Sequence, residues 1–327
     1  MGADAKSAPP PLVSLGCEAV QGRGEGAVGK SSLNPLPPAP SHKRRGSFKA
    51  ATPYLLIAPA TALLCVLFLI PLLQTIALAF RANGAFSFAN FATMAGDINF
   101  NDALINTFEV VLLSVPLQVA LALAMAMMLR HFKHGRDIVI WIWSIPLGIS
   151  DLAAGLVWLA ILTDHGYLNT VLYHLGIIGG PRSWLTYETP TTLLIAIVVE
   201  EVWRATAIVL VILAAGVQLV PKEYAEAADV FGASPWQRFT RVMLPLLRPS
   251  IQTALILRTV LAFEMFATVM ALGGQNFPVL MSQTFNAQYF QQDYGTAAAY
   301  AVLIMALSIG ATLVYLRLLR TPPEQLP

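Results

Sequence analysis

Six apolar runs, each long enough to cross a lipid bilayer, constrain this chain more than any other feature of its sequence. Covering the hydrocarbon takes about 20 mostly apolar residues. The runs 54–80, 104–129, 138–162, 191–217, 250–272 and 296–317 meet that length, separated by polar segments bearing Gly and Pro. Prolines inside three of them (Pro71, Pro116 and Pro146) suit a bundle, where neighbouring helices re-satisfy the carbonyls that a proline frees. Charge agrees: only 12% of the residues are charged and 56% are hydrophobic, whereas soluble domains carry about 25% charged residues. So little charge cannot cover a water-facing surface. The expectation is an all-α membrane protein with six transmembrane helices in a domain spanning 51–320, and no soluble domain able to house a catalytic apparatus.

Residues 1–50 are rich in Pro, Gly, Ser and Ala and hold no amphipathic period, so they read as a disordered tail. The first apolar stretch begins near residue 51, too late for a usual cleaved leader. Residues 321–327 read as a short C-terminal tail. Cys17 in the tail and Cys65 in an apolar run read as unpaired thiols. Gly24–Ser31 satisfies the phosphate-loop pattern G-x-x-x-x-G-K-S. It lacks the preceding strand, however, and Ser32-Leu-Asn-Pro-Leu-Pro-Pro follows where a helix must begin. Lys30 is read as a tail residue, and no nucleotide, other cofactor or metal is expected on this chain.

Lysine and arginine set the orientation. Sixteen of the 20 lie in the tail, around 130–136, within 222–248 or at 317–320; Arg81 and Arg182 fall in the alternate loops, and Arg204 and Arg258 lie within spans. Both termini are therefore expected in the cytoplasm of a bacterial multi-pass cell-membrane protein. The net charge of +2 gives no reason to expect a nucleic-acid partner.

The segment 221–245, between the fourth and fifth spans, reads as two short helices around a tight corner. Pro221 suits a first helical position, and Gly232 suits the end of the first helix, because glycine accepts the left-handed conformation. Ser234-Pro235 reads as the cap and first position of a second helix that Leu244-Pro245 ends. Ala227 and Ala228 allow close approach of a partner backbone, and Glu226 and Asp229 offer charges for register.

The order Glu226-Ala227-Ala228, then Gly232, Val242 and Leu244-Pro245 resembles the EAA signature of ABC importer permeases. Phe231 stands where an Asp is usual, and Val242 replaces the usual Ile. Across 51–320 further residues resemble the MalF-like carbohydrate branch of the type I importers. They include Asn106-Thr107, Pro146, Trp158, Gly166, Asn169, Leu213–Pro221, Arg258-Thr259, Phe263, Phe266 and Gly273-Gly274. The resemblance implies a type I ABC importer permease fold with a cytoplasmic helix-turn-helix coupling loop, in which Glu226, Ala227, Ala228, Asp229 and Gly232 contact an ATPase. It also implies a second permease subunit, two ATPase subunits holding ATP and Mg, an extracellular substrate-binding protein, a sugar cargo and membrane lipid. This chain itself would be non-catalytic.

Glu109, Asp151, Glu200, Glu201, Arg204, Arg258 and Glu264 fall at membrane depth, where a central charge costs about 2.5–3.5 kcal/mol. Glu200 and Arg204, at i and i+4, can pair on one helix face. The functional alternative is that Glu200, Trp203, Arg204, Arg258 and Glu264 line a substrate path. Rival readings are an ABC permease for glycerol phosphate or polyamine, an ion-coupled secondary transporter using buried carboxylates as a relay, or a membrane signalling or assembly protein.

Overall fold

The computed structural model describes residues 48–82, 84–132, 135–186 and 188–319. The tail to residue 47, with Cys17 and the phosphate-loop-like segment, lies outside these residues, as does the tail 321–327. The chain divides into two compact units, Met1–Pro59 and Ala60–Pro327. The only described part of the first is the start of α1 (Phe48–Leu64), which begins three residues inside the expected tail. A π-turn at Cys65–Leu69 leads into α2 (Ile70–Ala79). The pair β1 (Arg81–Ala82) and β2 (Ala85–Phe86) and helix α3 (Ala89–Ala95) then lead to α4 (Phe100–His131). Next come α5 (Arg136–Ser144), α6 (Asp151–Leu162), α7 (Tyr167–His174) and α8 (Pro190–Leu219). Helices α9 (Lys222–Val230), α10 (Pro235–Gln237), α11 (Leu244–Leu246) and α12 (Arg248–Phe263) follow. The chain closes with α13 (Ala267–Leu272), α14 (Leu280–Phe285) and α15 (Tyr294–Leu318).

Among the described residues, Tyr54–Ala79, Phe100–Arg130 and Tyr294–Leu318 are long and apolar enough to cross a membrane as single helices. They match the first, second and sixth expected spans. The fourth corresponds to α8, whose 30 residues extend about 45 Å while carrying Glu200, Glu201 and Arg204. The other two differ from the straight spans expected. The third bends by 93° between Arg136–Gly148 and Asp151–His174. There Pro146 sits in a 3-10 turn and extended Ile149 leads to Ser150, whose hydroxyl caps α6 by accepting from Ala153. The fifth stops at Phe263 and resumes at Ala267, leaving Glu264–Phe266 as a break inside the apolar run.

Helices α4 and α8 lie side by side and carry two separate apolar clusters. One joins Val110, Val111 and Val115 to Leu193, Ile197 and Val198, with Ala262 and Phe263 of α12. The other joins Ala122, Ala126 and Leu129 to Val209, Leu210 and Leu213, with Ala254 of α12. Each of the three helices carries polar side chains where it passes from one cluster to the other: Gln118, Glu200 with Glu201, and Arg258. All four residues are buried. The alternate loops contain the small β-hairpin, α3, α7 and α14 rather than open coil. Asn169 braces the segment 163–184 by donating to the carbonyls of Thr163, Asp164 and Arg182 and accepting from Trp184 Nε1.

Candidate functional site

The buried polar side chains form one network across four helices. Arg204 on α8 donates to Glu201 at 2.8 Å, to Glu200 at 3.2 Å and, across to the start of α6, to Asp151 at 2.8 Å. Arg258 on α12 pairs with the other oxygen of Glu201 and donates to Gln118 Oε1 at 2.7 Å. Gln118 in turn donates to the backbone carbonyl of Glu201 at 2.9 Å. A charge removed from water is tolerated only when it is paired and its remaining hydrogen-bonding capacity is met. Two guanidiniums meet three carboxylates here; Asp151 stays exposed to offset the excess, and Glu200 keeps one buried oxygen without a hydrogen-bond partner.

The network forms one wall of a cavity of about 250 Å³, lined by Asp151, Glu201, Arg204, Arg258 and Glu264 together with apolar residues including Leu147 and Met265. Glu264 reaches it because α12 ends one residue earlier, and Glu264 is exposed. Four of the five residues expected on a substrate path therefore come together, with Glu200 fully buried behind the cavity wall. Trp203 does not join them. It points away and packs against Trp158 of α6, ring centres 6.1 Å apart, because one helical step rotates it off the face shared by Glu200, Glu201 and Arg204. The sequence names Asp151 and Glu201 as membrane-depth ionisable residues but does not place them in the site; Gln118 it misses altogether. Glu201, at i−3 from Arg204, carried a readable signal in helical spacing. Gln118 carried none, since its partners are 83 and 140 residues away. Glu109 is exposed on α4, outside the network.

The second feature is the elbow 221–246. Pro221 is the residue before α9, in extended conformation, rather than its first helical position. Gly232 adopts φ +73°. Around it Ala233 N–H bonds Ala228 O and Gly232 N–H bonds Asp229 O, each at 3.0 Å. This paired closure is the one a left-handed glycine permits at a helix end. Ser234 and Gln237 then form a reciprocal capping box. The second arm runs through a π-turn at Arg238–Met243, ends at Leu246, one residue past Pro245, and bends by 68° into α12.

The arms are braced against each other. Arg238 Nη1 lies 2.8 Å from both oxygens of Asp229, while Asp229 itself stays exposed. Glu226 and Ala227 are exposed and Ala228 half-buried. Glu226 borders a cavity of about 230 Å³ with Arg130, Lys222 and Arg238. At the tip, Val230, Phe231 and Trp236 are 85%, 88% and 70% exposed. No group of three or more His, Cys, Asp or Glu side chains able to hold a metal occurs among the described residues.

Residues 91–321 match the profile of the family described as binding-protein-dependent transport system inner membrane component. The trehalose/maltose transport system permease protein MalF of Thermococcus litoralis is 30% identical over 81% of this chain and 92% of its own length. The sulfoquinovosyl glycerol transport system permease protein SmoG of Agrobacterium fabrum is 31% identical over 82% and 90%. The trehalose transport system permease protein SugA of Mycobacterium tuberculosis is 30% identical over 81% and 87%. Among solved structures, a bacterial ABC transporter importing the acidic polysaccharide alginate superimposes with a TM-score of 0.71 at 20% identity. That match covers 84% of this chain and 98% of the other.

Proposed function

This chain belongs to the binding-protein-dependent transport system inner membrane components, the non-catalytic permease subunits of ABC importers, and from that premise we propose that it carries a sugar through the cavity beside Arg204 and Arg258. The observation carrying the cargo assignment is the agreement of relatives matched over most of their length, which are named for trehalose, maltose and a sulfosugar glycerol. Arginines and carboxylates around one small cavity fit such a cargo, because a hydroxyl both donates and accepts.

The elbow supplies the drive. Sixteen cationic residues on one side against two on the other put 221–246 and both termini in the cytoplasm. There the exposed tip of α9, with Glu226, Ala227, Ala228 and Gly232, docks on an ATPase. The Gly232 closure and the Asp229–Arg238 brace make the elbow one rigid piece, so movement of the ATPase is passed to α8 and α12, which carry Arg204 and Arg258. A second permease completes the path, and two ATPases hold ATP and Mg. An external binding protein delivers the sugar; a solved fold neighbour is an alginate importer bound to its loaded periplasmic protein.

The test is reconstitution of the complex, with the subunits that copurify from native membranes, into proteoliposomes. Labelled trehalose or maltose offered with the binding protein should accumulate only when ATP is present on the elbow side. Uptake that follows an ion gradient without ATP, or that ignores every sugar tried, overturns the proposal.

A further inference from the structure

Glu264 is the one carboxylate lining the central cavity that has no ion-pair partner among the described residues; Asp151 and Glu201 are both held by arginines. It stands at the carbonyl end of α12, a helix of 16 residues, where unpaired carbonyls and the helix dipole add partial negative charge. Arg204 and Arg258 line the same cavity, and their charges are already offset by Asp151, Glu200 and Glu201. Glu264 also borders a second cavity of about 480 Å³, walled mainly by apolar residues such as Val260, Met281, Ile304 and Met305. The carboxylate therefore sits where a polar chamber meets an apolar one.

We infer that Glu264 makes this cavity reject anionic sugars in favour of uncharged, hydroxyl-bearing cargo; the inference rests on the sugar-permease reading above. A neutral sugar donates hydroxyl protons to Glu264, accepts from the guanidiniums, and lays its C–H face toward the apolar chamber. A uronic or sulfonic acid group can only accept and meets a like charge with no counter-ion in a region of reduced dielectric. An ammonium group meets the unpaired carboxylate and is not excluded by this arrangement. Discrimination thus comes from a repulsive element as much as from attraction.

The full transporter complex, purified without its binding protein, tests this. Equilibrium binding is measured for the neutral disaccharide that the wild type imports and for its 6-carboxylate and 6-amino analogues. Wild type should prefer the neutral sugar. Glu264→Gln should raise the ratio of anionic to neutral affinity on the order of tenfold, the effect of a like charge roughly 10 Å away at an effective dielectric of about 20, and Glu264→Lys should raise it further. Because the ratio is internal to each preparation, partly inactive protein still reports it. A ratio unchanged within experimental error in both variants, or tighter wild-type binding of the carboxylate than of the amino analogue, overturns the inference. So does sugar uptake by the complete system when the binding-protein-free complex binds no sugar; in that case the permease reading stands. Absence of ATP-driven sugar uptake by wild type fells the permease reading itself.

Discussion

A methyl group placed on Gly216 would lie 2.2 Å from Ser250 Oγ and 2.6 Å from its Cβ, so α8 and α12 meet there almost backbone to backbone. Close approach at small residues is how helices associate in a bilayer. Gly216 lies near the end of α8 and Ser250 near the start of α12, so their contact pinches together both roots of the elbow.

Gly216→Val should overpack this pinch and destabilise the assembly by about 1–3 kcal/mol. The loss is read as a lower melting temperature of the purified complex. Ser250→Gly in the same chain should recover part of it. A wild-type melting curve for the single variant would show that the roots do not need to touch.

Arg238→Ala should separate stability from coupling. The Asp229–Arg238 pair is largely exposed, and such pairs contribute about 0.2–1 kcal/mol, so the melting temperature should barely move. The brace is nevertheless lost, and more ATP should be hydrolysed per sugar imported. High salt should act on wild type in the same direction. A normal ATP-to-sugar ratio would remove the brace from the mechanism.

Arg258→Ala should be the most destabilising change. It leaves Glu201, 1% exposed, with one cation fewer and Gln118 Oε1 without its donor. Removing one partner of a buried pair costs about 3–5 kcal/mol. Adding Glu201→Gln should recover part of the loss, since the orphaned charge goes with it. Equal melting temperatures for the single and double variants would contradict this.

Acid should weaken the start of α15. Asp293 caps it, and hydrogen bonds from the Thr296 hydroxyl at 2.6 Å and backbone at 3.0 Å hold its carboxyl below the usual carboxylate range. A lowered folded-state pKa stabilises above the unfolded value, about 3.9, and the benefit disappears as pH falls through the folded value. Asp293→Ala should therefore cost about 1 kcal/mol at neutral pH, a gap that closes on acidification below pH ~4. Asp293→Asn should cap at every pH. A gap that persists at low pH would assign the effect to something other than the ionised cap.

Much of the elbow was legible because its signals are local. Gly232, Ser234 and Gln237 act on neighbours within five residues, and a left-handed turn followed by a cap can be read from residue type alone. Leu244-Pro245 likewise marked the end of the second arm to within one residue. The extra breaks in the third and fifth spans were hidden, since hydropathy averages over a window and does not register a change of direction.

The sequence by itself determined that the chain is a membrane component with six apolar runs, that its cations cluster in the tail and in alternate loops, and that 221–245 turns a corner at Gly232. These follow from composition, length and short-range propensity. Only the tertiary structure decided that Arg204 and Arg258 share Glu201, that Gln118 joins them, that Trp203 packs on Trp158 instead, and that Asp229 pairs with Arg238. Such partnerships join residues up to 140 positions apart. They depend on how helices rotate and cross when they pack, which no single segment specifies.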